Sequence, residues 1–231
     1  EIVISSRIRL ARNVRGYHFL SKADNAMRVE LAEAVASALS RAKSLENMIH
    51  VDVDRSDELD RQLLVERNLI SRQLAEGSGA RRVAFDASEA LSIMINEEDH
   101  LRIQVMRSGF QIAAAWEQIN AVDDALEEHL DYEFHPQYGY LTACPTNVGT
   151  GIRVSVMLHL PALRLTNELE KVGQAARDLK LAVRGLHGEG TEALGDFFQI
   201  SNQITLGRGE EEIIDDLGSA VRAHAVPHPR P

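Results

Sequence analysis

The sequence predicts an α+β fold in which a large, mainly antiparallel sheet is flanked by helices that cover one face. Strand-like segments are numerous, and the predicted helices do not alternate strictly with them, as they would in a parallel doubly wound sheet. The 231 residues are 44% hydrophobic but only 5% aromatic, which predicts one substantial core of aliphatic side chains. With no repeat or linker, we expect one domain over residues 1–222 and a disordered tail at 223–231.

Segments rich in β-branched residues or alternating in polarity predict the strands. In the first, residues 2–10, Arg7 and Arg9 share one face, whereas Ile8 and Leu10 share the other. The other predicted strands are residues 49–53, 82–85, 91–95, 101–106, 139–143, 152–160, 181–184 and 197–202.

Apolar residues at a 3.6-residue spacing predict helices over residues 27–45, 111–130, 161–179 and 210–222. Pro161 suits the first position of the third helix, and three glutamates from Glu210 suit the positive end of the fourth. In the third helix we expect five side chains to face the core: Leu165, Leu169, Val172, Ala176 and Leu179. Residues 63–74 are ambiguous between helix and strand.

Composition excludes several classes of function. The net charge of −10 argues against a general nucleic-acid binder, which needs excess cations to neutralise phosphates. No apolar run approaches the roughly 20 residues that cross a bilayer. The single cysteine, Cys144, excludes an internal disulfide and fits a reducing compartment. We therefore expect a cytoplasmic protein, although the chain opens in mid-pattern without an initiator Met, which predicts a trimmed N-terminus.

The first motif with chemical potential is the acidic segment NEEDH at residues 96–100, directly after an apolar strand. Taken alone, three consecutive carboxylates indicate a solvated turn. If the chain resumes as a strand, however, Arg102 shares the parity of Glu98, which places a guanidinium and a carboxylate on one surface. Neither a phosphate-binding loop of the GxxxxGK[ST] type nor a GxGxxG motif occurs, and the Cys and His spacing predicts no metal site.

Two glycine-rich segments follow strands and carry arginines. CPTNVGTGIR at residues 144–153 combines Cys144, two threonines and Arg153, and RGLHGEG at residues 184–190 combines Arg184 with Glu189. Each alone is typical of an ordinary turn with solvated charges. Five arginines nevertheless lie in or beside predicted strands of an acidic protein: Arg7, Arg9, Arg102, Arg153 and Arg184. Their convergence would be unfavourable without a polyanion, so we expect a nucleoside triphosphate, with Glu98 and Glu189 holding a cationic acceptor.

The motifs SSRIRLARN, NEEDHLRIQ, CPTNVGTGIR and RGLHGEG, in this order, resemble the ATP:guanido phosphotransferase (phosphagen kinase) family. The segments NVGTGIRVSVMLHLPAL and FQISNQITLG are most similar to its bacterial branch of protein-arginine kinases. The resemblance spans residues 1–217 and implies the catalytic-domain fold that this family shares with glutamine synthetase. It implies transfer of the γ-phosphate of ATP, carried with Mg²⁺ on its phosphates, to arginine in proteins.

The resemblance also implies roles for individual residues. Glu98, Glu189 and Cys144 correspond to the catalytic group, with Glu98 as base and Glu189 as clamp, although the two glutamates could exchange roles. The ATP-binding residues are expected to be Ser5, Ser6, Arg7, Ile8, Arg9, Asn68, Arg102, Arg153, Val154, Ser155, Val156, Met157, Arg184, Gly185, Leu186, His187, Gly188 and Glu189. Asn68 departs from the family's usual histidine and removes an aromatic ring near the nucleotide.

The acceptor and partners are likewise implied by the resemblance. Kinases of free guanidino metabolites carry an extra N-terminal helical domain, whereas this chain begins almost at SSRIRLARN, which favours an open site for protein-borne arginine. A Clp unfoldase that degrades the marked proteins, a zinc-binding activator and a dimer of the full-length form are expected with this branch. A kinase of a free guanidino metabolite and a catalytically silent binding module remain alternatives.

Overall fold

The computed structural model describes residues 2–166, 173–174, 176, 178–185 and 196–225, and its central feature is an antiparallel sheet. The strands are β1 (Val3–Arg12), β2 (Ile49–Asp52), β3 (Arg82–Phe85), β4 (Leu91–Ile95), β5 (Leu101–Ser108), β6 (Phe134–His135), β7 (Gly139–Tyr140), β8 (Ile152–His159), β9 (Leu181–Gly185) and β10 (Phe197–Asn202). Strands β6 and β7 form a separate hairpin, and the others are ordered β2-β3-β4-β5-β1-β8-β10-β9. Every described pairing is antiparallel, which confirms the predicted fold class.

Helices pack on the sheet through apolar side chains. The helices within the described residues are α1 (Asn25–Arg41), α2 (Glu58–Glu66), α3 (Arg72–Glu76), α4 (Ile112–Glu127), α5 (Pro161–Leu165) and α6 (Glu210–Ala225). Helices α1, α4 and α6 cover the face that carries Ile8 and Leu10, and together they build the larger core. We call this the helix face. The completely buried Ile8 and Leu10 lie on β1, so the core reaches the centre of the sheet.

The expectation that helices cover only one face is wrong. The segment 58–76, part of which was ambiguous, folds as α2 and α3, and these pack on the opposite face at the β2–β4 end. Leu64 of α2 and Leu74 of α3 join Phe85 and Met94 of the sheet in a second, smaller core. The remainder of that opposite face, from β5 through β9, carries the arginines.

The predicted element boundaries agree with the structure for β3, β4 and β10 and differ elsewhere for local reasons. The predicted strand at 139–143 ends at Tyr140, because Leu141 N donates to Glu133 O and Ala143 N donates to the Asp99 side chain. The inward orientation predicted for Leu165 and Leu179 is wrong, since they are 84% and 50% exposed. Ala176 is buried as predicted, whereas Leu169 and Val172 lie outside the described residues.

Candidate active site

The site is built on β1, which lies between β5 and β8 near the middle of the sheet. Residues directly opposite one another in an antiparallel pair project to the same face. Arg9 lies opposite Gln104 of β5 and Arg153 of β8, and Arg7 lies opposite Ser155 of β8. Two arginines of β1 therefore share a face with Arg153.

The same registers bring the remaining arginines to this face. Arg102 lies opposite Ala11, which has the parity of Arg7 and Arg9. Arg184 lies opposite Gln199, and Gln199 in turn lies opposite Met157 of β8. All five predicted arginines thus lie on the surface that we call the arginine face. Arg184 is the outlier, because its strand is three strands from β1, roughly 14 Å at the usual spacing.

The arginine face carries unfavourable electrostatics in the absence of an anion. Burial, followed by repulsion from Arg102 and Arg153, lowers the pKa of Arg7 to about 10. Burial and the charges of Arg7, Arg102 and Arg153 likewise lower the pKa of Arg9, although Glu97 partly opposes them. Within the described residues the buried Nε of Arg9 has no hydrogen-bond partner. A buried cationic donor of this kind is suited to a phosphate oxygen.

The acidic segment 96–100 forms a turn between β4 and β5, which we call the acidic turn. The turn breaks the alternation assumed from the sequence, so the ion pair with Arg102 is made by Glu97 and not by Glu98. Ser71 Oγ donates to Glu97 Oε1 at 2.6 Å, which links the start of α3 to this pair. Glu98 is thereby left half-buried, with its side chain free to line the cavity described below.

The surroundings of Glu98 favour its neutral form. Burial raises the pKa of Glu98, the charges of Asp99 and Glu97 raise it further, and Arg102 and Arg9 oppose this effect. A carboxylate with a raised pKa is a better proton acceptor than an ordinary surface glutamate. The position therefore suits a general base.

Asp99 and His100 fix the acidic turn. Asp99 Oδ1 accepts hydrogen bonds from Ala143 N and Asn13 Nδ2, both at 2.6 Å. The ring of His100 is completely buried, its Nδ1 accepts from Val14 N at 3.0 Å, and its Nε2 lies 3.0 Å from His18 O. Because Nδ1 accepts a hydrogen bond from a backbone amide, the neutral ring carries its hydrogen on Nε2, which donates a hydrogen bond to the carbonyl of His18.

Residues 144–151, which we call the cysteine loop, form another wall of the cavity described below. Cys144 Sγ lies 3.0 Å from Thr146 Oγ1. Gly149 has φ +114°, and a Cβ there would lie 2.2 Å from Thr205 O, so the loop needs glycine at that position. Thr205 Oγ1 is within hydrogen-bond distance of Thr146 O and Val148 O, which ties the loop to the segment after β10.

These elements enclose a cavity of about 130 Å³. Glu98 of the acidic turn and Cys144 of the cysteine loop both line it, together with Arg9, Arg102 and Arg153 of the sheet. Residues that are far apart in sequence therefore form one site containing a candidate base, a thiol and three cations. Such a site can bind an anion and orient a cationic group beside the base.

The other predicted ATP-binding residues divide between the two faces. Ser5, Ser155 and Met157 lie on the arginine face by register. The side chains of Ile8, Val154 and Val156 are completely buried in the core of the helix face, because strand alternation turns them away from the arginine face. Any contact of these three residues with the nucleotide would therefore be made by their backbone.

Two further groups of predicted residues have a different placement. Ser6 projects with the helix face and its Oγ donates to Gly109 O, so its hydroxyl is occupied there. Gly185 ends β9, next to Arg184. Four predicted residues lie outside the described residues: Leu186, His187, Gly188 and Glu189.

Asn68 is exposed and lies just after α2 with φ +59°. Its carbonyl accepts a hydrogen bond from Gln104 Nε2 at 2.7 Å. Asparagine tolerates the left-handed conformation that commonly follows a helix, so this residue suits the backbone at the end of α2.

Sequence reasoning missed the groups that hold the site together. Glu97 binds Arg102, Asp99 joins the acidic turn to the segment before Cys144, and Arg12 is a fully buried cation on β1. A signal for Arg12 was present, because its parity on β1 is opposite to that of Arg7 and Arg9. An arginine on the apolar side of a strand needs buried partners.

No described helix is both long and apolar enough to cross a bilayer. Residues 30–224 match the family model of the ATP:guanido phosphotransferase C-terminal catalytic domain. Protein-arginine kinases of Shouchella clausii and Pelotomaculum thermopropionicum are 49% and 50% identical over 96% of this chain, which spans 63% of each.

Solved structures show the same architecture. The substrate-free duplicated taurocyamine kinase from Schistosoma mansoni has a TM-score of 0.85 and 28% identity over 96% of this chain and 32% of that one. Lombricine kinase has a TM-score of 0.83 and 26% identity, covering 96% of this chain and 64% of the other. These matches confirm the resemblance drawn from the four motifs, and the chain belongs to the ATP:guanido phosphotransferase family.

Proposed function

We propose that the chain is the catalytic domain of a protein-arginine kinase, which transfers the γ-phosphate of ATP to the guanidinium of arginine residues in proteins. One observation carries the proposal. Glu98 and Cys144 line the same cavity as three arginines of the arginine face. The arginines suit the phosphates, and the acidic and thiol groups suit a cationic acceptor.

In the proposed reaction the arginine face binds the triphosphate. Arg9, Arg102 and Arg153 stabilise the transferring phosphoryl group, and Arg7 and Arg184 extend the cationic surface along the sheet. Family membership implies ATP as the donor. Ser5, Ser155 and Met157 contact the nucleotide from the same face, and Arg184 and Gly185 of β9 and residues 186–189 are the remaining proposed ATP-binding residues.

The acceptor step needs a base, because an arginine side chain with a pKa above about 12 is a poor nucleophile. Glu98 accepts a proton from the attacking guanidinium nitrogen as its bond to the γ-phosphorus forms, and ADP leaves with the electrons of the broken phosphoanhydride bond. Glu189 clamps the guanidinium fork and fixes its alignment. These two roles can be exchanged. Cys144 contacts the acceptor at the cavity wall.

Magnesium would arrive on the nucleotide. No group of three or more His, Cys, Asp or Glu side chains that could hold a metal ion occurs among the described residues. The donor set of the site is instead dominated by guanidinium groups, which fit phosphate oxygens. Mg²⁺ bound to ATP would supply charge neutralisation, while the protein positions the phosphates through its arginines.

The acceptor class is proposed from the relatives. Those with 49% and 50% identity are named protein-arginine kinases. The alternative acceptor is a free guanidino metabolite, since the solved structures with similar folds are named taurocyamine kinase and lombricine kinase. This alternative has weaker support, because these two kinases are only 28% and 26% identical to the chain, compared with 49% and 50% for the protein-arginine kinases.

The cellular setting follows from this proposal. Phosphoarginine would mark cytoplasmic proteins for a Clp-type unfoldase and protease, and a zinc-binding activator and dimerisation would regulate the full-length kinase. Residues 1–222 would form the catalytic domain, with 223–231 as a tail. Neither nucleic acid nor membrane is a proposed partner.

The deciding experiment incubates the 231-residue chain with Mg-ATP and either casein or free arginine, and measures acid-labile phosphate on each acceptor. We expect incorporation into casein. Incorporation only into free arginine would establish the alternative. No incorporation into either, with Mg-ATP still bound, would contradict both and indicate a binding module.

A further inference from the structure

Arg12 is a buried arginine that lies near the candidate site without lining its cavity. Its side chain is only 1% exposed, and it projects from β1 away from the arginine face. Burial alone would lower the pKa of Arg12, but the charge and hydrogen bonds of Asp123 raise it, so the side chain stays cationic. A buried cation with this many fixed contacts holds several elements in one arrangement.

The guanidinium joins β1 to two helices. Its Nε and Nη2 donate to Asp123 Oδ2 of α4 at 3.0 and 2.6 Å, and Nη2 also donates to Glu210 Oε1 of α6 at 3.2 Å. The Tyr140 ring stacks on its far side, with Arg12 Cζ 3.6 Å from the ring centroid. These contacts fix the orientation of the guanidinium plane.

The remaining nitrogen reaches the cysteine loop. Arg12 Nη1 donates to Thr150 O at 2.7 Å and to Ala11 O at 3.1 Å. The approach is close, because a Cβ on Gly151 would lie 2.8 Å from this nitrogen. Tyr140, which stacks on Arg12, also pairs with Gly149 through both backbone groups. Arg12 therefore supports the C-terminal half of the cysteine loop from behind.

We infer that Arg12 is a positioning residue for the acceptor side of the site, acting through the cysteine loop that carries Cys144. This inference rests on the proposed function. The cavity is lined by Cys144, Thr146, Asn147 and Gly151 of that loop. Displacing the loop would therefore move the thiol relative to Glu98, while the phosphate-binding arginines of the sheet would keep their places.

The test is Arg12→Lys in the full chain. Lysine retains the charge, but a single nitrogen cannot reach Asp123 and Thr150 O with the geometry of the guanidinium fork. We expect the KM for the arginine acceptor to rise roughly tenfold or more, as misplacement of reacting groups does elsewhere. The Kd for Mg-ATP should stay unchanged. Alkylation of Cys144 by iodoacetamide should become faster, and this readout is specific because the chain has one cysteine.

Arg208→Lys is the matched control. Arg208 also binds two carboxylates, Glu212 and Asp216, but both lie on the exposed side of α6. The Arg208→Lys variant should keep the wild-type KM for the acceptor, the wild-type affinity for Mg-ATP and the wild-type rate of Cys144 alkylation. If Arg12→Lys does not fold, Asp123→Asn tests the same support, because it removes the charge that orients the guanidinium, and the same changes are expected.

Two results would overturn the inference. One is a folded variant with wild-type acceptor KM and alkylation rate, and the other is an equal loss of Mg-ATP affinity, which would indicate a general structural effect. The alkylation and nucleotide-binding measurements need no turnover. Failure of the wild-type chain to phosphorylate arginine would therefore contradict the proposed function while leaving the positioning role of Arg12 separately testable.

Discussion

Arg9 of β1 and Arg153 of β8 lie directly opposite each other in the sheet. Like charges at such a position destabilise a strand pair. Both side chains also line the cavity, where Arg102 adds a third cation. The unliganded protein therefore retains an unfavourable cluster of charges that a triphosphate would neutralise.

Replacing Arg9 tests directly whether this cluster of cations destabilises the unliganded protein. Arg9→Met removes a buried cation whose pKa is lowered by burial and by neighbouring arginines. We expect the unliganded variant to melt several degrees higher, since about 1 kcal/mol raises the Tm of a domain of this size by roughly 2–4 °C. Mg-ATP should no longer raise the Tm. Arg67→Met, at an exposed ion pair with Glu89, should show neither change. A lower Tm for Arg9→Met would contradict the argument.

Glu98→Gln should strongly reduce phosphoryl transfer while retaining nucleotide binding. The amide keeps the shape of the side chain but cannot accept the proton, which is expected to reduce kcat by roughly 10² to 10⁴-fold. Transfer is measured as acid-labile phosphate and binding by titration with Mg-ATP. Near-normal turnover would remove Glu98 from the role of base and leave Glu189 as the candidate.

The acidic limb of the pH profile depends on Asp99. Burial raises the pKa of Glu98, and the charge of Asp99 raises it further. A base must be ionised, so activity falls as the pH drops through this raised pKa. Asp99→Asn keeps an acceptor for Ala143 N and removes the charge, so the acidic limb of kcat/KM should move to lower pH. If the acidic limb of kcat/KM in Asp99→Asn stays in place or moves to higher pH, the ionisation of Glu98 does not control that limb.

His100 should make stability depend on pH. Burial lowers the pKa of His100 in the folded protein. The unfolded state therefore takes up a proton at higher pH, near about 6.5, than the folded state does. The contribution of His100 to the stability of the folded protein is complete above that pH. It is lost as the pH falls toward the lowered pKa that His100 has in the folded state. Urea unfolding between pH 7 and pH 5 should show this slope, and His100→Gln should reduce it. An equal slope in the variant would contradict the assignment.

Gly149→Ala should disrupt the cysteine loop, because the added Cβ would lie 2.2 Å from Thr205 O. Overpacking of this kind costs roughly 1–3 kcal/mol beyond any backbone strain. Gly207→Ala is the control, since Gly207 also has positive φ, yet nothing lies within 4 Å of its Cβ position. Urea unfolding should give Gly149→Ala a clearly lower free energy of unfolding than Gly207→Ala. Equal stability of Gly149→Ala and Gly207→Ala would show that the cysteine loop can shift to accommodate the added Cβ without loss of stability.

Alternation on β1 explains why much of the sheet side of the site was predictable. The sequence predicts that Arg7 and Arg9 share one face, and the registers with β5 and β8 confirm it. The acidic turn was not predictable by the same reasoning. Its five residues leave the strand period, so Arg102 binds Glu97 in place of the partner that parity indicated.

The supporting contacts join positions that are far apart along the chain, which is why local patterns did not reveal them. Arg12 and Thr150 are 138 residues apart, and Asn13 and Asp99 are 86 apart. The sequence predicts only a local role for the three glutamates from Glu210, at the positive end of their own helix. Glu210 in fact also binds Arg12, a contact that depends on how α6 packs against the sheet.

Strand β1 supplies one cation of the cavity, Arg9, and the cation behind its wall, Arg12, from residues only three positions apart. A single inserted or deleted residue between Arg9 and Arg12 would put both side chains on the same face of the sheet, so that either Arg12 would leave Asp123 or Arg9 would leave the cavity. Length changes within this stretch are thus far more damaging than most substitutions, and tolerance of insertions should begin only beyond the end of the strand, toward Gly16.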